Sequence, residues 1–120
     1  MILIPDTVTF NEEDGIETLA FGNTKANPFQ YFIVSLEQST SKQDLDLGLF
    51  GYHSELNDQS SGVYNGISEV SYKDQFLTFV FNTKASQVLG TLTLSIDLSQ
   101  HLEMLKAIEV FLNELWTERR

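Results

Sequence analysis

The sequence predicts an α+β fold: a mostly antiparallel sheet of about six strands, one short helix, and a C-terminal amphipathic helix packed on one sheet face. Three observations carry this. Strand-like segments separated by short polar turns fill residues 7–81; residues 82–90 read as a capped helix with a glycine stop; and apolar residues recur at helical spacing from Leu98 to Trp116.

Taken in order, Thr7-Val-Thr-Phe10 and Ile16-Glu-Thr-Leu-Ala-Phe21 flank Asn11-Glu-Glu-Asp-Gly15. Asp-Gly favours a tight turn, so these segments form a first hairpin. Residues 23–28 hold no apolar period, and Pro28 keeps Asn27 out of a helix. From Phe29 to Leu36 the apolar run through Tyr31, Phe32, Ile33 and Val34 predicts a strand covered on both faces, near the middle of the sheet. Asp44-Leu-Asp-Leu-Gly-Leu49 alternates at period two, which predicts an exposed strand.

Ile67 to Lys73 and Phe76 to Phe81, joined by Asp74-Gln75, form a second hairpin. Asn82 or Thr83 caps a helix that Gly90 stops. Alternation in Thr91-Leu-Thr-Leu-Ser-Ile-Asp97 places Leu92, Leu94 and Ile96 on the core face. The last helix starts between Asp97 and Gln100, with Asp97 or Ser99 as its cap. Leu98, Leu102, Leu105, Ile108, Leu112 and Leu115 form its apolar stripe, widened by Phe111 and Trp116, while Glu103, Lys106, Glu109 and Asn113 stay wet. Arg119 and Arg120 suit the negative end of its dipole.

A chain of 120 residues suits one domain, here residues 1–120, and 42% hydrophobic residues with nine Phe and four Tyr provide for a packed core. Zero cysteines exclude disulfides, thiolate catalysis and cysteine zinc sites, and suit a reducing cytoplasm. Met1-Ile-Leu-Ile-Pro-Asp6 has no basic region and too short an apolar run for a signal peptide or membrane span. A formal charge of −10 opposes binding to nucleic acid or anionic lipid and attracts a basic partner, although excess acid also serves solubility.

His53 and His101 lie on different elements and form no acid–base pair; His53 reads as a half-buried strand residue and His101 as solvated. Asp44, Asp46 and Glu55 fall at positions one, three and twelve of a calcium-loop window, but Gly48 and Leu49 stand where an oxygen ligand and a turn glycine are required. Glu12, Glu13, Asp14 and Glu17 read as a solvated charged turn, and Glu55 with Asp58 flank a polar run. Gly62, Gly66 and Gly90 match no phosphate-cradling pattern, and Phe76, Phe79 and Phe81 lack the basic groove of a base-stacking surface. No metal or cofactor is indicated.

The polar run Glu55-Leu-Asn-Asp-Gln-Ser-Ser-Gly-Val-Tyr-Asn-Gly-Ile67-Ser-Glu-Val70 reads on its own as either a recognition surface or a structural turn. It resembles the central motif of the immunity protein 10 family, small bacterial proteins that neutralise cognate polymorphic toxins. Asn27-Pro-Phe-Gln-Tyr31, Asp44-Leu-Asp-Leu-Gly48 and Leu89-Gly90 fit the same pattern, so the resemblance covers most of the chain. Where the family reads Tyr-Gly-Gly-Ile, this chain has Tyr64-Asn-Gly-Ile67, and Asn tolerates the same left-handed backbone.

The resemblance implies a binding protein and no enzyme: an antitoxin, monomeric or homodimeric, whose acidic surface speeds capture of a basic toxin domain such as a nuclease. The interface expected on that basis comprises Asp44, Asp46, Glu55, Asp58 and Tyr64. Asn57, Asp58 and Gln59 have the competing role of satisfying their own turn, which is the favoured reading for Asn57 and Gln59. Two alternatives stay open, a structural or oligomer-forming protein and a small hydrolase using Glu55 and Asp58.

Overall fold

A computed structural model describes residues 1–37 and 52–118, with backbone alone for 116–118. The predicted strand at 44–49, the Trp116 side chain, Arg119 and Arg120 therefore lie outside the described residues. The elements run β1 (Ile2–Leu3), β2 (Thr7–Glu13), β3 (Ile16–Asn23), β4 (Gln30–Glu37), β5 (Tyr52–Leu56), β6 (Gly62–Tyr64), β7 (Ile67–Lys73), β8 (Phe76–Phe81), α1 (Thr83–Leu89), β9 (Thr93–Asp97), a 3-10 turn (Leu102–Met104) and α2 (Leu105–Glu118).

The class is α+β, as the sequence predicts, but the described strands number nine and form two sheets. The larger sheet has the order β2-β3-β4-β5-β6 and the smaller one β1-β9-β8-β7. Every pairing is antiparallel except β1 with β9. A single sheet covered by the terminal helix is thus corrected to two sheets facing each other. Alternation reveals which face of a strand is apolar and leaves open whether a helix or another sheet covers it.

Both hairpins turn as expected. Asp14 and Gly15 take φ of 55° and 78°, and Asp74 and Gln75 take 53° and 69°. These are the two-residue mirror-image turns whose twist matches that of the strands. β4 holds the centre of the larger sheet with Phe32, Val34 and Leu36 buried; Tyr31, Ile33 and Ser35, pointing the other way, are half-buried.

Phe32 joins the two sheets. Its ring lies 5.1 Å from Phe79 and 5.9 Å from Phe81 of β8, and 6.5 Å from Phe21 of β3. Helix α2 meets both layers: Phe111 stands edge-on to Phe10 of β2 at 5.6 Å, while Leu105, Ile108 and Leu112 face Val70, Tyr72 and Leu77 of the smaller sheet across an apolar groove.

The chain passes from β6 to β7, and so from one sheet to the other, at Asn65-Gly66. Asn65 adopts φ of 53°, the left-handed conformation its residue type tolerates. Its N–H donates to the Tyr52 carbonyl at 2.9 Å, and its side-chain oxygen accepts from the Tyr52 N–H at 3.3 Å. A Cβ on Gly66 would come 2.6 Å from that of Ala85, so α1 rests directly on the corner. That helix begins as predicted, with Asn82 accepting from the Ala85 N–H at 2.9 Å, and ends at Gly90 with φ of 81°.

Four local expectations are revised. Glu17, expected in a solvated turn, lies within β3 on the side of Leu19 and Phe21 and is buried. Leu92 precedes β9 and is 60% exposed, so only Leu94 and Ile96 of that trio reach the core. Helix α2 begins at Leu105, because Asp97 accepts from the Ser99 N–H at 2.9 Å within a turn and the 3-10 segment follows, leaving Leu102 exposed. The Ser99 bonds hold the Asp97 carboxyl below its usual range. His101 is not solvated: its Nε2 lies 3.0 Å from the Pro5 carbonyl, tying the start of the helix to the segment before β2.

Phe32→Ala should cost about 3–5 kcal/mol, since it empties the contact between the sheets, and urea unfolding would measure it. At the corner, Asn65→Gly keeps the backbone conformation but removes the side-chain acceptor of the Tyr52 N–H and should cost about 1–2 kcal/mol, whereas Asn65→Val should cost about 1 kcal/mol or more beyond that because a β-branched residue is also strained at positive φ.

Candidate functional site

The site grows from the outward half of the larger sheet's alternation. Leu19, Phe21, Phe32, Val34, Tyr52, Leu56 and Val63 turn inward and are buried. The residues between them line the opposite face, and pairing register aligns them in rows: Ile33, Glu55 and Gly62 in one, Ser35, His53 and Tyr64 in the next. Glu55 and Tyr64 therefore share a face because both alternate with core residues.

Close contacts hold these side chains in place. The Tyr31 hydroxyl donates to Glu55 Oε2 at 2.9 Å. Burial, reinforced by the bond to Glu55 and by the Glu55 and Asp58 charges, pushes the Tyr31 phenol up to about 12. Phe29 stacks on Tyr31 at 5.7 Å and covers Gly22, where a Cβ would lie 3.3 Å from the Phe29 ring. His53 is half-buried, as expected, and stands edge-on to Tyr64 at 4.9 Å. Its ring lies over Gly62, where a Cβ would come 2.1 Å from Nε2, so any larger residue there would displace the His53 ring.

The loop between β5 and β6 is built by its own polar groups. Asn57, at φ of 58°, accepts from the Tyr31 N–H at 2.7 Å and returns its own N–H to the Tyr31 carbonyl at 3.1 Å. Asp58 accepts from the Ser60 hydroxyl at 2.7 Å, the Ser60 N–H at 2.9 Å and the Ser61 hydroxyl at 3.2 Å. Those bonds, the Ser60 hydroxyl foremost, keep its carboxyl below the ordinary range. Asp58 is therefore an exposed carboxylate held in a fixed direction.

Of the residues singled out from sequence, Glu55, Asp58 and Tyr64 come together at the β5–β6 hairpin, while Asp44 and Asp46 lie outside the described residues. Phe29, Tyr31 and His53 complete the surface. Phe29 is 49% exposed and Tyr64 41%, both large values for aromatic side chains. Gln59 joins Thr9, Ala20 and Tyr31 along a shallow groove of about 210 Å³.

Charge sets this face apart. None of the strands β2 to β6 contains a lysine or arginine, whereas Glu13, Glu37 and Glu55 stand on the side that faces away from the core. Among the described residues no group of three or more His, Asp or Glu is placed to hold a metal ion. Glu55 is occupied by a phenol and His53 by aromatic contact, so the arrangement offers acceptors, rings and negative charge, which is the chemistry of recognition.

The family model for immunity protein 10 matches residues 6–107. The chain belongs to the immunity protein 10 family. No curated protein and no solved structure matches it. The family match runs from just before β2 into α2 and takes in the whole face described above, together with the Tyr64-Asn-Gly-Ile67 corner. In this immunity protein the motif divides its work: Asn65 and Gly66 build the corner, and Tyr64 presents a ring outward. Among the described residues no helix is long and apolar enough to cross a membrane.

Spectrophotometric titration should find Tyr31 ionising near 12. Glu55→Gln should lower that value yet leave it above the ordinary 10, because burial is the larger cause. Tyr31 keeps its proton longer in the folded chain than in the unfolded one. Its contribution is thus fully present below pH 10 and is lost as pH rises through about 12, so alkaline unfolding should ease within that window. Ionisation of Tyr31 near the ordinary 10 would show that neither its burial nor its bond to Glu55 persists in solution.

Proposed function

We propose that this protein is an antitoxin that binds and neutralises a cognate toxin domain through the outer face of the larger sheet. The observation that carries the reading is an exposed aromatic surface, free of lysine and arginine in every strand, in a member of an immunity protein family. Tyr64 and Phe29 supply the apolar contact, Glu55 and Asp58 the directed acceptors, and Asp44 and Asp46 add acid from the segment before β5. The partner surface is basic, as in many nucleases, because complementary potential speeds encounter and excludes acidic competitors.

The protein acts without catalysis, as one cytoplasmic unit. It uses no cofactor, nucleic acid or membrane. Charge distribution supports the choice of sheet: residues 7–64, which carry all its strands, hold nine acidic residues against two basic ones.

The test is growth of cells expressing the toxin-like domain encoded beside this chain, with and without it, followed by co-purification at low and high salt. Rescue and a complex that weakens as salt rises are expected. Tyr64→Ala should reduce affinity by about 2 kcal/mol, roughly thirtyfold, while Asp58→Asn should mainly slow association and flatten the salt dependence. A folded protein that gives neither rescue nor complex would overturn the proposal, and a complex indifferent to Tyr64, Glu55 and Asp58 would move the interface elsewhere.

A further inference from the structure

We infer that the open edge of β7 is a self-pairing surface that joins two copies of this chain through antiparallel β7–β7 pairing. β7 ends the smaller sheet, and among the described residues no strand pairs with its outer side. A long exposed edge presents a row of free donors and acceptors. The two-residue turn at Asp74-Gln75 makes Lys73 and Phe76 a hydrogen-bonded pair, so by alternation Ser71 and Glu69 bond inward to β8 while Val70 and Tyr72 direct their N–H and C=O groups outward.

The side chains along this edge complement themselves. With a two-fold axis at Ser71, Val70 exchanges both backbone bonds with Tyr72 of the second copy, and Glu69 stands opposite Lys73 of the second copy. Moving the axis to Val70 or Tyr72 loses the pairing of Glu69 with lysine. One register therefore satisfies the backbone and both charges. On a chain of charge −10, which otherwise repels its own kind, Lys73 places a cation where the second copy brings an acid.

The inner side of the same edge favours this occupant too. Val70 and Tyr72 share the face of β7 that carries Phe79 and Leu77 opposite, and Tyr72 is 47% exposed. Beside them lies the apolar groove of about 440 Å³ lined by Leu105, Ile108 and Leu112 of α2. Tyr72 of the second copy, set opposite Val70, falls along this groove, an aromatic on β-branched pair of the kind that stabilises sheets. The bulge between Ile67 and Glu69 ends the regular edge and limits pairing to the segment from Glu69 to Lys73. The larger sheet's outer face takes no part.

Sedimentation of the full chain across a concentration series is the test, with circular dichroism to verify folding of each variant. A monomer–dimer equilibrium is expected. Glu69→Lys and Lys73→Glu should each weaken dimerisation about tenfold or more, and the double variant carrying both should restore it, since the charges then meet in swapped order. Tyr72→Pro removes an outward N–H together with the ring and should also yield monomer. A chain that stays monomeric at every concentration, a dimer indifferent to the single reversals, or a double variant that fails to recover would each overturn the inference, as would a β7 edge that pairs only with a foreign strand.

Discussion

The fold depends on one buried phenol. Tyr52 is fully buried, and its hydroxyl donates to the Ile67 carbonyl while accepting from the Ile67 N–H, both at 3.0 Å. Its backbone holds Asn65 from the other side. A β5 residue thus grips both ends of the corner at which the chain leaves one sheet for the other. Asn82 closes the arrangement by donating its N–H to the Gly66 carbonyl at 2.8 Å and its side-chain amide to the Asn65 carbonyl at 3.1 Å. The Tyr52 and Ile67 groups sit where water has little access, so losing one partner strands another.

That corner also orients the surface assigned to recognition. Tyr64 directly precedes Asn65, and β6 is short, so the direction of the Tyr64 ring follows from how the corner is anchored. Glu55 belongs to the same strand as Tyr52, with opposite parity. Inward anchoring and outward display are therefore two sides of one hairpin, and the polar run that reads from sequence as either turn or recognition surface is both at once.

What the sequence made legible was local. Asp14-Gly15, Asp74-Gln75, and Asn82 with Gly90 encode backbone conformations through their own residue types, and each forms where expected. Layering was less legible, because Leu94 and Phe79 would alternate in the same way against a helix or a second sheet. Leu92 and Leu102 fit their periods but fall outside β9 and α2, where those periods no longer determine direction. At the site, Glu55, Asp58 and Tyr64 were readable from one contiguous run. Phe29 and Tyr31 were obscured because residues 29–36 read as nearly continuous apolar sequence, and the meeting of Tyr31 with Glu55 depends on a strand pairing that no short window contains.

The parallel pairing of β1 with β9 has a cost unlike any other in the molecule. The hairpins close across two turn residues, whereas the Met1 amine reaches the Thr93 carbonyl across a sequence separation of 92. Loop-closure entropy grows with the logarithm of length, which makes this ladder about 3 kcal/mol harder to close than a hairpin. Two residues of strand cannot offset that alone. The edge formed by Ile2 and Leu3 thus exists because the rest of the structure already holds β9 and Pro5 close together, and it is the pairing whose persistence reports most directly on the integrity of the whole.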